Sequence, residues 1–407
     1  MDAADPLVAA LTGAVLRRRD EIAGLAADLV RIPTENPPGR HYRALTELLA
    51  ARMTALGLEP ERIPIPSGAD DEPRVALIAS CGSGARALVF HGHYDVVPAA
   101  DSGQFEPVWQ GDTLFGRGSA DMKGGLAAML YAARAIADAG VPLDGRVSLV
   151  AVPDEETGGA LGSQYLADRG LFPAGAVGMI TAEPTSGVVW HANRGAISLA
   201  ATVKGRPAHV GLQHLGINAF ERMLTVVERL QRLKRDVERR RTAYCLEPDA
   251  ARASILLIGG RSEGGNNFNV VPAECRFTVD RRVNPEEDFD AEKRVLLEVF
   301  ADARAQGIEI DVEVLQEGRP AVSPADSVPA RALARSVADV TGTRPSFELC
   351  PGLLETRFYA ARGIPAYAFG PGLLSVAHGP REFVKLRAIL ECAQVYALTA
   401  ARVLASA

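Results

Sequence analysis

The chain has 407 residues, 47% of them hydrophobic and 23% charged, with a formal net charge of −6 at pH 7. That length exceeds what one hydrophobic core ordinarily supports, so two domains are expected. The acidic balance argues against nucleic acid or an anionic membrane as partner, and no apolar run approaches the roughly 20 residues of a membrane span.

The amino terminus, Met1-Asp-Ala-Ala-Asp-Pro6, lacks the basic-then-apolar order of a secretory leader. Apolar residues at helical spacing over 7–31 (Leu7, Leu11, Val15, Ile22, Leu25, Leu29) predict one or two amphipathic helices, stopped at Ile32-Pro33. A helix over about 41–56 ends at Gly57. Strands follow near 74–80 and 86–91, then a Gly- and Pro-rich loop to Gly118 and a helix of small residues from about Met122 to Ala139. The strand Val147–Val152 breaks at Pro153 into Asp154-Glu155-Glu156, and after a further helix the strand Ala176–Ala182 ends in Glu183-Pro184. Strand, acidic loop and helix in repetition mark a mostly parallel sheet covered by helices.

The pattern changes over 188–203 and 253–281, where strands lengthen and alternate around a charged helix at about 215–240. A helix near 287–306 and a strand at 308–315 follow, then a helix near 328–340, a strand around 364–369 and a terminal helix from about 382. The expected class is α/β. A mixed, mostly parallel sheet domain covered by helices is formed by 1–186 and 317–407, with a smaller α+β domain inserted at 187–316.

Polar groups gather at the carboxyl ends of the strands, where open α/β sheets bind ligands. The apolar run Leu88-Val-Phe90 ends in His91-Gly-His93-Tyr-Asp95. Residues two apart in an extended segment share a face, so His93 and Asp95 project together. A carboxylate beside an imidazole can fix its tautomer for metal binding. Asp121, the pair Glu155-Glu156 and Glu183 close three further segments, and His378 follows a turn-rich stretch. Each of these alone reads as readily as a capped strand end or a solvated loop. Their coincidence is informative, because several carboxylates in one pocket repel and stay protonated unless a cation compensates them.

Nitrogen and oxygen donors without thiolate suit Zn²⁺, Co²⁺ or Mn²⁺. The five scattered cysteines contain no C-x-x-C, so neither a thiolate zinc site nor a disulfide framework is expected, and a reducing cytoplasm is the default compartment. Two divalent ions would balance Asp121, Glu156, Glu183 and one hydroxide. Adjacent side chains diverge, so one of Glu155 and Glu156 can bind metal while the other stays unligated, as a general base must.

Together, His91-Gly-His-Tyr-Asp-Val-Val-Pro98, Gly116-Arg-Gly-Ser-Ala-Asp-Met-Lys-Gly124, Asp154-Glu-Glu-Thr-Gly158, Glu183-Pro-Thr185 and Ala377-His378 resemble the ordered signatures of the M20 metallopeptidases. That family includes acetylornithine deacetylases, succinyl-diaminopimelate desuccinylases, aminoacylases and glutamate carboxypeptidases, and the resemblance covers nearly the whole chain. It implies that His93 and Glu183 hold one metal and Glu156 and His378 the other, with Asp121 bridging. It further implies Asp95 as the group orienting His93, Glu155 as general base and later acid, and a cis Asp121–Met122 peptide. The inserted domain would be a lid and dimerisation domain. His209, in Gly205-Arg-Pro-Ala-His209, would reach the partner's site in a homodimer to polarise the scissile carbonyl. Asn269 and Arg282 fall where the family grips the substrate backbone or carboxylate. Arg282 suits a bidentate carboxylate, with Arg281 the competitor, because one residue of slip swaps strand faces.

One stretch departs from the family pattern. Desuccinylase-like members carry Gly-Thr-(Ser)-Asp-Ala-Arg where this chain has Pro351-Gly-Leu-Leu-Glu-Thr-Arg357, which points away from diaminopimelate and toward a more apolar pocket wall. Gly352 and Arg357 remain candidate substrate contacts. The expected activity is metal-dependent removal of an acetyl- or succinyl-type N-acyl group from an amino acid, with two ions per subunit, Zn²⁺ first and Co²⁺ or Mn²⁺ next. The alternative is a dipeptidase or carboxypeptidase of the same family. A non-catalytic binding module should lack a ligand or the base, and none is missing. With no G-x-S-x-G elbow and no P-loop, serine-hydrolase and nucleotide chemistries are disfavoured.

Overall fold

Leu88 and Phe90 face one side of the strand Ala87–His93 and Val89 the other, and each side meets its own core. The computed structural model describes residues 5–67 and 72–405; Met1–Ala4, part of the stretch read for a leader, lie outside them. On the first side Leu77, Leu88, Phe90 and Leu149 pack beneath the helices Pro6–Arg17, Arg19–Val30, Tyr42–Ala55, Gly124–Asp138, Val328–Thr341 and Leu386–Val403. On the second, Val89, Val150, Val152 and Met179 pack with Leu166 and Tyr359 from the short helices Ser163–Asp168 and Thr356–Ala360. A sheet buried on both faces explains why its strands read as continuous apolar runs. Each such Leu, Val or Phe contributes about 1.5–3 kcal/mol by leaving water.

The central strands Gly145–Val152, Ala87–His93, Ala176–Thr181 and Ala366–Ala368 pair in parallel in that order. Arg74–Ser83 and then Glu61–Ile65 add antiparallel on one side, and Val189–Asn193 adds antiparallel on the other. The sheet is therefore mixed with a parallel centre, and the carboxyl ends of its central strands carry His93, Pro153 to Glu156, and Glu183. No helix among the described residues is long and apolar enough to cross a membrane.

Three features differ from the sequence expectations. Glu61–Ile65 is a strand despite Pro64, which an edge position tolerates. The Gly- and Pro-rich loop contains the strands Val108–Gln110 and Thr113–Phe115, which form a small sheet with Phe383–Lys385. The terminal helix consequently begins at Leu386 and not at 382. The small-residue helix is regular only from Gly124, because Asp121 and Met122 leave helical dihedrals (φ −122° and −131°) and the peptide between them is cis.

The described residues divide into two compact units. The first holds the chain up to His191, Ser323–Glu348 and the chain from Glu355; the second holds Ala192–Val322 and Leu349–Leu354. Both main borders fall a few residues later than 187 and 316. The second unit is an antiparallel sheet in the order Ile255–Gly264, Glu274–Val283, Gly195–Lys204 and Ile310–Gly318. The helices Ala219–Val237 and Phe289–Ala305 supply Val226, Leu230, Leu296 and Phe300 to a core with Leu199, Val203 and Phe277.

Candidate metal centre

His93 ends its strand fully buried, and its Nδ1 lies 3.0 Å from the main-chain oxygen of Asp95 and 3.5 Å from Asp95 Oδ1. Donation to that carbonyl places the proton on Nδ1 and turns Nε2 toward Asp121 Oδ1 at 3.1 Å and Glu183 Oε1 at 3.8 Å. The other Asp121 oxygen, Oδ2, lies 3.2 Å from His378 Nε2, which is also 3.2 Å from Glu156 Oε2. Two donor sets result, His93–Asp121–Glu183 and Asp121–Glu156–His378, each with its ligand atoms within 4.8 Å of one another. They share Asp121 through different oxygens. His378 differs from the rest in being half exposed (51%) and in adopting a positive φ of 63°.

The segments carrying these groups are tied together from beneath. Asp95 Oδ1 accepts the Glu155 N–H at 3.2 Å and Oδ2 accepts the Glu156 N–H at 3.1 Å, so the carboxylate caps the turn Glu155–Thr157. Asn36 Nδ2 donates to Asp95 Oδ2 at 2.9 Å, with Asp154 Oδ1 at 3.3 Å and Thr157 Oγ1 at 2.9 Å. Asp95 thus joins the His93 strand to the Glu155-Glu156 turn. Glycines let main chain approach main chain at Glu183. A Cβ on Gly125 would stand 2.4 Å from Ala182 Cβ, and one on Gly370 would stand 2.1 Å from the Ala182 oxygen.

The electrostatics follow from burial. Desolvation pushes the Asp121 carboxyl up, but hydrogen bonds from His378 and His93 outweigh it and hold Asp121 well below the usual carboxylate range. Burial raises Glu183 well above its ordinary value, and Asp121 adds to that. Burial likewise raises Glu155, with His93 opposing and Glu183 and Glu156 reinforcing, and it raises Glu156. The hydrogen bonds with Asp121 and Glu156 lift His378 to about 11. Glu183 Oε1 is buried without a hydrogen-bond partner. Clustered carboxylates, an orphaned acceptor and two imidazole nitrogens aimed at them are a donor set that fits divalent cations.

Supporting groups lie outside the two donor sets. Glu382 Oε1 accepts the main-chain N–H groups of Ala120 (2.9 Å) and Asp121 (3.1 Å), and its Oε2 pairs with Arg117 Nη1 at 2.6 Å. His91 is scaffold: it is buried between Tyr359 OH (3.1 Å), Glu355 Oε2 (2.8 Å) and Ser163 Oγ (2.9 Å). Arg357 Nη2 donates to Gly158 O at 2.7 Å, bracing the far end of the Glu155-Glu156 turn.

The remaining candidates lie in the second unit. His209 is exposed, and its Nδ1 accepts the Gly211 N–H at 3.1 Å, which in a neutral ring leaves the proton on Nε2. Asn269 is close by, its carbonyl accepting the Val210 N–H at 2.9 Å and its Oδ1 buried without a partner. Asp280 holds Arg282 bidentately at 2.7 and 3.0 Å. Arg281 is fully buried and braces Glu287, Glu292 and Ser254, a structural role. Gly352 N–H points to Cys350 Sγ at 3.3 Å.

The profile of Peptidase family M20/M25/M40 matches residues 89–402. A Staphylococcus epidermidis protein named "Probable succinyl-diaminopimelate desuccinylase" is 27% identical, covering 94% of this chain and 97% of its own. The succinyl-diaminopimelate desuccinylase of Gluconobacter oxydans is 30% identical, covering 82% and 85%. Among solved structures, the dipeptidase Dug1p of Saccharomyces cerevisiae superposes with a TM-score of 0.81 over 98% of this chain and 99% of its own, at 15% identity, a likeness of fold.

Proposed function

The chain belongs to peptidase family M20, a family of metal-dependent hydrolases, and from that premise we propose that it is a dinuclear N-acyl-amino-acid deacylase. The observation that carries the proposal is Asp121, whose two oxygens face separate histidines at 3.1 and 3.2 Å, each histidine accompanied by its own glutamate. His93, Asp121 and Glu183 would hold one ion and Asp121, Glu156 and His378 the other, Zn²⁺ first and Co²⁺ or Mn²⁺ next. Bound there, divalent ions supply Lewis acidity, making a water acidic near neutral pH and polarising the amide carbonyl.

The chain's own groups supply the rest. Glu155 takes the proton of the attacking water as it adds to the amide carbon, and returns it to the departing amine nitrogen. Its raised proton affinity, caused by burial and neighbouring carboxylates, suits a group that must both accept and release a proton. Asp95 keeps the His93 tautomer and holds the turn that presents Glu155. The Nε2–H of His209 donates to the carbonyl oxygen as negative charge develops on it. We assign His209 to the partner subunit's site, with residues 187–316 as lid and dimerisation domain. Asn269, Arg282, Gly352 and Arg357 are the proposed substrate contacts, and Arg282 must exchange Asp280 for the substrate carboxylate to serve. Five scattered cysteines without a C-x-x-C pair favour a reducing, cytoplasmic location.

The similarity to named desuccinylases favours a deacylase over a dipeptidase. A panel of N-acetyl and N-succinyl amino acids and dipeptides, assayed with added Zn²⁺ or Co²⁺, tests the choice. Release of acetate or succinate is expected. Turnover of dipeptides alone would reverse the assignment in favour of a peptidase.

A further inference from the structure

Arg117 and Glu382 stand 265 residues apart and form a buried ion pair, Nη1 to Oε2 at 2.6 Å, with side chains 3% and 0% exposed. Neither belongs to a proposed donor set. Their remaining side-chain bonds run mainly to two donor segments, with one longer contact from Arg117 Nη2 to the Pro98 oxygen at 3.5 Å. Glu382 Oε1 accepts the N–H groups of Ala120 and Asp121, holding the segment that presents the shared carboxylate. Arg117 Nη2 donates to the main-chain oxygen of His378 at 3.0 Å. From Asp121 to His378 there is thus a continuous path through one carboxylate and one guanidinium.

His378 needs such an anchor more than its counterpart does. His93 is part of a strand paired on both sides and is buried by it. His378 sits in a turn, half exposed, with φ at 63°, a region that a residue with a Cβ seldom adopts unless its surroundings impose it. The planar guanidinium reaches the carboxylate through one nitrogen and the carbonyl through another in a rigid geometry, a span that an ammonium with its three donors on one nitrogen does not reproduce.

We propose that Arg117 and Glu382 are positioning residues that set the separation of Asp121 and His378, and so govern retention of the ion held by Asp121, Glu156 and His378 selectively over the ion held by His93, Asp121 and Glu183. The proposal rests on the dinuclear reading above. Partners behind metal ligands change affinity by roughly 10- to 100-fold when removed. Here that loss falls on one ion of two, because an anchored main-chain carbonyl is lost at His378 while the paired strand keeps His93 in place.

The test uses the double variant R117M/E382Q. It replaces the ion pair with neutral side chains of similar length, avoiding the buried, uncompensated charge that either single change would leave. The amide oxygen introduced at position 382 still accepts the Ala120 and Asp121 N–H groups, so the carbonyl of His378 loses its donor, together with the longer contact to the Pro98 oxygen. Chelator-stripped wild-type and variant full-length proteins are titrated with Zn²⁺ against a competing chromophoric chelator, giving two stepwise dissociation constants without recourse to turnover. Thermal unfolding of the stripped proteins is the control. The expected result is second-ion binding weakened at least 10-fold, first-ion binding within about threefold of wild type, and a metal-free melting temperature near wild type. Two tightly bound ions in both proteins with unchanged constants overturn the proposal, as does equal weakening of both ions with a lowered melting temperature. Fewer than two ions on wild type overturns the dinuclear reading, and the proposal with it. Should the double variant fail to fold, R117K decides. It keeps the charge but gathers the donors on one nitrogen, and a second-ion constant equal to that of wild type overturns the proposal.

Discussion

Replacing Glu155 with glutamine changes one oxygen for an amide and leaves its bonds to the fold in place. The Glu155 main-chain N–H still caps onto Asp95 Oδ1 at 3.2 Å, and neither donor set includes the Glu155 side chain. What disappears is proton affinity, raised in the native protein by burial and by Glu183, Glu156 and Glu355, with His93 opposing. Metal content should therefore stay at the wild-type value. The melting temperature should hold or rise, because a carboxyl among carboxylates has become neutral. Turnover is the quantity that must fall. A positioned general base contributes about 10²- to 10⁴-fold, which at about 1.36 kcal/mol per decade is roughly 3–5 kcal/mol of transition-state free energy. The assay is kcat/KM on the best N-acyl substrate, run beside metal analysis and thermal unfolding on the same preparation. Activity within tenfold of wild type at full metal content would remove Glu155 as base. Equal loss of metal and activity would show that its role is to hold the ions.

Two further substitutions probe the frame and the lid. Asp95→Asn keeps one acceptor oxygen where two now receive Glu155, Glu156 and Asn36, so one or more charge-assisted bonds are lost. At about 1.5–3 kcal/mol each, urea unfolding should show stability lower by about 2–4 kcal/mol together with reduced turnover; a variant matching wild type in both would mean that Asp95 does not join strand and turn. His209→Ala should lower kcat at least 10-fold while leaving metal affinity unchanged, as expected of an oxyanion donor. Mixing it with Glu155→Gln subunits should restore part of the activity if His209 acts across a dimer. No recovery in the mixture would confine it to its own chain or exclude it from catalysis.

The legibility of this chain tracks the distance over which each interaction is made. His93 with Asp95 and Glu155 beside Glu156 are visible because local geometry decides them: alternate residues on a strand share a face, and neighbours on a turn diverge. The long helices and the parallel strands are visible because burial imposes a period over many residues. Phe383–Lys385 reads as helix, since three residues are too few to display alternation and the partner strand Thr113–Phe115 lies in a segment that reads as loop. The pairings of Asn36 with Asp95 and of Arg117 with Glu382 give no signal for a related reason, although Arg117 itself lies within the Gly116–Gly124 signature. Asn36 reaches Asp95 across 59 residues and Arg117 reaches Glu382 across 265, through single side chains, and a single polar residue carries no periodicity. Arg282 shows a different limit. Its strand position is legible, whereas its engagement by Asp280, two residues away on the same face, depends on side-chain rotamers.

The contacts at Gly125 and Gly370 bear on which ions such a site can admit. Where main chain rests on main chain around Ala182, the backbone of the neighbouring Glu183 has little room to shift along that direction. A frame of this kind resists dilation. Ca²⁺ asks for six to eight oxygens at about 2.3–2.6 Å, whereas Zn²⁺ is satisfied by about four donors at roughly 2.0–2.2 Å. In the proposed dinuclear site, a backbone so packed is expected to favour the smaller ion. Metal-stripped protein titrated with Ca²⁺ and with Zn²⁺ should therefore retain Zn²⁺ far more tightly, a preference to which packed main chain and imidazole nitrogen both contribute.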